Sequence, residues 1–556
     1  MLIRTKENTF RIVFKDGKES SFIKGTPLFE ILEFLRLDKD PNIVLANANN
    51  VIHSLHDSLE EDCTLEWITI QSPEGRRSYQ QTLCLLLIWA SKELFPEGQL
   101  LIDHSLGQGL YCEFQNGTQL NPKRVRQIAQ QMQQIIDIHE PIVPVKTPRK
   151  KALARMKLMS EDPAWLAGNP EKINLTLYRC GPIRDYLGYP LLPNSGLLSV
   201  FDLQYYKSGL ILRPPDEHDL SVLAPRVKQK KLFQVFHEYR HWQTILGTDK
   251  TSDINKKVVD KSIFDVVKIA EGLHEKKIAE IAEIIRKKKR FLRIILIAGP
   301  SSSGKTTFTK RLAIQLRVIG LKPVALSLDN YFVDRDKTPL NENGQLDFES
   351  IKAINIPRFN KDLNNLLLGN KVQLPKYDFL KGKSIEGDIW QLKPDQPILI
   401  EGLHGLNQEL TESIPQRKKL KIYVSALTQM NITSHMRVPT SDIRLLRRLI
   451  RGQKFRGHHP TETIMQWRLV RLGEEKYIFP FQETADIIFN SSLTYEPSVL
   501  RVLAKPLLES VPQTELAYSE ARRIHELLCC FLPLSPKVVP LNSILREFIG
   551  GSSFSY

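Results

Sequence analysis

Two glycines five positions apart, followed by a lysine and two threonines, carry the most specific chemistry in this 556-residue chain. The string is Gly299-Pro300-Ser301-Ser302-Ser303-Gly304-Lys305-Thr306-Thr307. Gly299 and Gly304 let the backbone curl so that successive N–H groups face one anion. A helix starting just after the second glycine adds the positive end of its dipole at the same point. Lys305 can then reach the outer phosphates of a nucleoside triphosphate, and the Thr306 hydroxyl can hold Mg²⁺. The pattern requires an apolar strand before it and a helix behind it. Residues 293–298 read as that strand, and Phe308, Leu312 and Ile314 recur as a helix places them.

Two carboxylates are spaced to join this loop. Asp329 follows a second apolar run, residues 323–328, at the strand edge where an open α/β sheet has its ligand crevice. There it can take the proton of an attacking hydroxyl, although an aspartate also suits the turn that starts a loop. Glu401 follows a third apolar run, residues 397–400, and can hold Mg²⁺ through water. Further on, Asp442-Ile443-Arg444-Leu445-Leu446-Arg447-Arg448-Leu449-Ile450-Arg451 reads as a helix capped by Ser441 or Asp442. Arg444/Arg448 and Arg447/Arg451 are like-charge i, i+4 pairs, each costing roughly 0.2–0.5 kcal/mol in an isolated helix. Such crowding is easier to account for if an anion sits among the guanidinium forks, though an exposed basic face is the plainer alternative.

The elements that must position these groups form a parallel sheet. From residue 291 to about 500, apolar strands alternate with helical patterns, and residues 420–425 and 486–489 supply the fourth and fifth strands. The whole chain is too long for one core, which stops growing near roughly 250–300 residues. Apolar content of 42% and charged content of 25% suit a globular protein. No run reaches the roughly 18 apolar residues of a membrane span, and Met1–Glu7 lacks a signal-peptide core. Six scattered cysteines without a C-x-x-C pair predict no disulfide framework, and together these features favour the cytoplasm. A net charge of +16 favours polyanionic partners, nucleoside triphosphates or RNA.

Taken in order, Gly299–Thr307, Asp329-Asn330-Tyr331-Phe332, Pro375-Lys376-Tyr377-Asp378-Phe379, Ile400-Glu401-Gly402 and the arginine helix resemble the uridine kinase/phosphoribulokinase family over about residues 290–500. The resemblance implies ATP and Mg²⁺ as cofactors and a nucleoside-like hydroxyl acceptor. It implies Asp329 as base, Lys305 on the phosphates, Thr306 and Glu401 at the metal, and a closing lid with Arg444, Arg447 and Arg451. Tyr331, Glu349, Tyr377, Arg444 and Arg451 would contact substrate. Gly382 stands where uridine kinases carry a pyrimidine-contacting histidine, so the acceptor stays open. A GTPase is disfavoured, because Asn360-Lys361-Asp362-Leu363 lacks the last aspartate of N-K-x-D.

Upstream, residues 9–70 alternate in short strands around a helix-like stretch, residues 28–35, and resemble the TGS domain, a ubiquitin-like β-grasp. Residues 71–229, with a helix at 79–94, a strand at 100–104 and Leu177-Tyr178-Arg179-Cys180-Gly181-Pro182, look like the second additional domain of threonyl-tRNA synthetase, an α+β editing domain. That family's metal ligands fall near Tyr79, Leu83, Arg179 and Ile183, none of which ligates a first-row metal in the usual way. His237-Glu238-Tyr239-Arg240-His241 matches H-E-x-x-H, but Lys230, Lys231 and Arg240 around it oppose a cation. The expected organisation is therefore multidomain α/β: a β-grasp over 1–70, an editing-like domain over 71–229 without its metal site, and a helical connection over 230–290. A P-loop NTPase parallel sheet over 291–505 and a C-terminal extension over 506–556 complete it. A kinase is the leading expectation. An RNA- or ribosome-associated nucleotide-binding regulator is the second, and a tRNA-editing hydrolase a distant third.

Overall fold

Strand alternation builds the first unit: Thr9–Phe14 buries Phe10 and Ile12 while Arg11 faces solvent. The computed structural model describes residues 8–158, 161–341, 344–378 and 381–556; Met1–Glu7 and Phe379, which enter the sequence reading, lie outside them. Thr9–Phe14 lies between Glu19–Ile23 and Cys63–Thr69, followed by Ile43–Ala48 and Val51–Ser54. The pairing with Cys63–Thr69 is parallel and the others are antiparallel. Helix Leu28–Phe34 buries Leu28, Ile31 and Leu32 on this β-grasp sheet. Glu19–Ile23 is absent from the sequence expectation, because an edge strand with Ser20 and Ser21 and little burial carries no apolar period.

Helix Pro73–Leu94 opens the second unit. Ser72 caps it by accepting a hydrogen bond from Gly75 N at 2.9 Å, with Pro73 at the first helical position. It packs with helix Pro122–Asp137 and with two antiparallel sheets, one of four strands within residues 100–213 and one of three within 142–185. Three helices follow: Lys230–Leu246, Thr251–Val259 and Ile263–Lys288.

The third unit holds five parallel strands: Ile294–Ala298, Val324–Ser327, Ile398–Gly402, Lys419–Ser425 and Ile487–Asn490. Their spatial order is second, third, first, fourth, fifth. Ile294–Ala298 is buried throughout, as a central parallel strand covered on both faces must be. Glu401 lies opposite both Ile297 and Ser327, so the carboxyl ends of the first three strands are level. The order reverses around the first strand, and that edge is where an open α/β sheet has its crevice.

One buried cluster runs through Trp165, Ile254, Ile278, Ile295, Phe308, Leu446, Phe531 and Phe548. The last 50 residues are therefore packed into the same core as the parallel sheet. The two halves are also hydrogen-bonded: Asn431 Nδ2 donates to Ile102 O at 2.7 Å, and Tyr239 Oη donates to Asn490 O at 2.8 Å. All six cysteines are free and buried. Among the described residues no helix is long and apolar enough to cross a membrane.

Candidate active site

The loop after the first strand turns where its sequence permits. Gly304 has φ +85° and caps helix Lys305–Val318, and a Cβ there would collide with Ile544. A Cβ on Gly299 would strike the Val424 carbonyl, so only glycine lets the loop pass over the fourth strand. The helix therefore begins at the lysine, with its first N–H groups directed into the crevice.

Around this loop lies a cavity of about 390 Å³. Lys305, Thr306, Asp329, Glu349, Tyr377 and Glu401 all line it, together with the loop segment Ser301–Gly304. Lys305 Nζ donates to the carbonyls of Gly299 (2.8 Å) and Pro300 (3.1 Å). Burial lowers its pKa, and the Glu401 and Asp329 charges oppose that shift. Asp329, in the short turn after the second strand, is open to solvent within the crevice. The protein atoms around the crevice still limit its hydration and raise its pKa, against the pull of Lys305. Burial lifts the Glu401 carboxyl to about 7, with the Asp329 charge adding to it. Glu349 also rises to about 7, through burial and the charge of Glu474, and its Oε2 is buried without a hydrogen-bond partner among the described residues. Tyr377 packs its ring 5.6 Å from that of Phe332.

Thr306 Oγ1 lies 3.3 Å from both oxygens of Glu401. A hydroxyl beside a carboxylate is a hard oxygen donor set that suits a small divalent cation such as Mg²⁺. These residues fit the metal that such a loop requires.

The structure corrects two groups of expected site residues. Arg444 and Arg447 lie on helix Thr440–Arg456 but not on a lid; they are 1% and 0% exposed, behind the loop. Arg444 pairs with buried Glu474 and donates through Nε to Ser301 O at 2.9 Å. Arg447 pairs with buried Glu496 at 2.5 Å and donates to the carbonyls of Ser302 and Ser491. Glu474 also accepts from Ser301 N at 3.0 Å, so these ion pairs shape the loop. Tyr331 likewise faces away: it is 1% exposed and donates its hydroxyl to Asp362 at 3.2 Å, against Phe359. A tyrosine two residues after a strand-edge aspartate is placed in the core by the helical turn of residues 328–331.

The next turn of the arginine helix faces the cavity. Arg448 donates to Ser301 Oγ at 2.9 Å, and Arg451 donates to Ser302 Oγ at 3.4 Å. Arg448, Arg456 and Glu547 line the cavity but were not among the expected site residues. The i, i+4 spacing from Arg444 already marked Arg448, whereas nothing local marks Glu547. Gly382 has φ +66° in the turn of the hairpin Val372–Asp378/Lys383–Trp390, and a Cβ there would crowd Arg335. Its backbone, then, accounts for a glycine at this position.

In the second unit, Tyr79 and Leu83 are buried in the apolar core, and Tyr79 Oη donates to Val200 O at 3.0 Å. Arg179 is exposed and Ile183 half-buried on a separate hairpin. His237 and His241 are exposed on helix Lys230–Leu246, and Arg240 between them pairs with Asp103 and Glu113. Among the described residues no group of three His, Cys, Asp or Glu could hold a metal ion.

Residues 294–496 match the family model described as the phosphoribulokinase/uridine kinase family. The C-terminal part of the chain is a P-loop kinase domain of that family. Over 208 residues the chain is 28% identical to a uridine kinase of Deinococcus deserti, covering 37% of this chain and 91% of that one. It is also 28% identical over 189 residues to a threonine–tRNA ligase of Syntrophomonas wolfei, covering 34% of this chain and 30% of the ligase. The N-terminal region carries this second similarity, so the chain spans less than a third of that ligase. A solved D-glycerate 3-kinase from Cryptococcus neoformans aligns with 37% of this chain and 88% of its own, at 14% identity and a TM-score of 0.28. The kinase domain uses the level strand ends to bring Lys305, Asp329 and Glu401 together, although they are far apart in sequence.

Proposed function

We propose that this protein is an ATP-dependent phosphotransferase that moves a phosphoryl group onto a hydroxyl of a small, nucleoside-like molecule. The observation that carries the reading is the convergence of Lys305, Asp329 and the Thr306–Glu401 pair on one cavity beside the helix N-terminus. In this reading the loop N–H groups and Lys305 hold the nucleotide phosphates. Mg²⁺, held by Thr306 and, through water, by Glu401, would neutralise charge on the phosphates. Asp329 orients the acceptor hydroxyl and takes its proton as the oxygen attacks. Arg448 and Arg451 stand where guanidinium groups meet the transferred phosphoryl charge. Tyr377 offers a ring face to an acceptor, and Glu349 a carboxyl to its hydroxyls. The five sequence segments 1–70, 71–229, 230–290, 291–505 and 506–556 are proposed as the working divisions of the chain.

The test is ADP release in the presence of Mg²⁺ against a panel of nucleosides and sugars. One acceptor should raise turnover, and Asp329→Asn should lower it by about 10²–10⁴-fold. ATP binding without acceptor-dependent turnover on any member would overturn the reading. The similarity to a threonine–tRNA ligase and the +16 charge favour a second reading, in which the N-terminal half binds RNA and the kinase domain acts as a nucleotide switch. RNA crosslinking of the full chain tests it; recovery no higher than background removes it.

A further inference from the structure

The C-terminal segment enters the phosphate site of the kinase domain. Helix Lys305–Val318 begins at Lys305, so Thr307 is its third residue, and its N–H is one of the donors without an intrahelical partner. That N–H donates to Glu547 Oε2 at 3.1 Å, and the Thr307 hydroxyl donates to the same oxygen at 2.9 Å. Glu547 is 8% exposed, lines the same cavity as Lys305, and faces Arg451 Nη1 at 3.4 Å. The C-terminal Tyr556 adds its hydroxyl at 2.7 Å from Thr307 Oγ1. The rest of the segment anchors this contact. Ile544 packs against Gly304, Phe548 lies under the guanidinium groups of Arg447 and Arg451, and Lys454 Nζ donates to Ile549 O at 2.7 Å.

An anion-binding helix start with a carboxylate already on its third N–H is a site with an occupant. Phosphate and carboxylate oxygens are equivalent acceptors for these donors and for Arg451. We propose that the segment 541–556 is an autoinhibitory strap, whose Glu547 carboxylate holds a nucleotide-phosphate position on Thr307 and must leave before a nucleoside triphosphate binds fully. The proposal rests on the loop being a nucleotide site. It gives the C-terminal segment a regulatory role: anything that draws residues 541–556 away raises nucleotide affinity without touching the loop. The opposing account is that Glu547 braces the loop in its binding-competent shape, and this account predicts effects of opposite sign.

The experiment measures binding of ATP with Mg²⁺ to the full chain and to Glu547→Gln, Tyr556→Phe and Lys305→Ala. Glu547→Gln removes the charge while keeping a polar side chain of the same size. It should tighten ATP binding about ten- to a hundred-fold, the scale of a lost charged hydrogen bond. Tyr556→Phe should tighten it by roughly two- to five-fold, and Lys305→Ala should weaken it. Hydrogen exchange of peptides from 541–556 should speed up when ATP saturates the wild-type chain, a readout that needs no variant. If Lys305→Ala weakens binding while Glu547→Gln leaves it unchanged or weakens it, the strap is wrong and the nucleotide site stands. Exchange over 541–556 that slows or holds steady on ATP addition also overturns the strap. If no chain binds ATP, both readings fall.

Discussion

Helix Pro73–Leu94 and helix Thr440–Arg456 sit in different halves of the chain, and each carries side chains that the sequence alone marks as candidate site positions. In the first, Tyr79 and Leu83 are sealed in an apolar core. In the second, one turn is sealed and the next is open: Arg444 and Arg447 pair with Glu474 and Glu496 behind the loop, while Arg448 and Arg451 face the cavity. Residue type and i, i+4 spacing place side chains on one helical face, but the packing partner decides whether that face is a site or a buttress. The N-terminal helix is held by its apolar stripe, and that stripe alone accounts for its place in the core.

The largest expected effect tests the catalytic side of this contrast. Lys305→Ala should reduce acceptor-dependent turnover by at least about 10²-fold in a steady-state assay, the scale of a lost preorganised charge. Tyr79→Phe should leave that turnover within about two-fold. A comparable loss from both would erase the distinction between the two helices.

Next is the buttress. Arg447→Ala leaves Glu496 buried without its cation and should cost about 3–5 kcal/mol of stability, read by urea unfolding. Arg448→Ala should cost less than about 1 kcal/mol of stability and act mainly on turnover, because Arg448 opens on the cavity. If the two variants behave alike, the division of the helix into a structural and a working turn fails.

A smaller effect appears with pH. Burial holds the His274 pKa down at about 3, with Arg311 and Arg447 adding to the shift and the backbone at Ser492 and Asn490 opposing it. The folded chain therefore keeps this imidazole neutral below the unfolded pKa of about 6.5. Its contribution is fully present above pH 6.5 and is lost as pH falls from there toward 3, because the unfolded chain takes up the proton first. The loss is at most about 1.4 kcal/mol per pH unit. Unfolding measured from pH 7 to pH 5 should show His274→Leu with a shallower decline than wild type.

The smallest effect belongs to the N-terminal helix. Tyr79→Phe removes the hydroxyl that donates to Val200 O and accepts from Val200 N at 2.9 Å. It should cost about 0.5–1.5 kcal/mol, because a half-buried carbonyl and N–H lose their partner. A neutral result would mean that water reaches this corner of the core.

Much of this was legible in sequence because it is local. The glycine-rich loop needs a strand before it and a helix after it, and all three lie within residues 293–318. Asp329 and Glu401 were legible because both follow apolar runs, and parallel strands of a shared register bring their ends level. Val372–Asp378 and Lys383–Trp390 pair as a hairpin that pattern alone did not reveal: Lys383–Trp390 buries no residue fully, so it lacks an alternating apolar face. Tyr331 kept its place in a motif but not its expected direction, because the short helical turn at residues 328–331 rotates it into the core.

By itself, then, the sequence determined the phosphate-binding loop and the parallel sheet that presents it, since each depends on residue type and short-range spacing. Only the tertiary structure decided which arginines of one helix reach the cavity, and that Glu547, 240 positions beyond Thr307, meets the start of the same helix. Those contacts join residues distant in the chain, and their partners are selected by the packing of one continuous core, which no local pattern encodes.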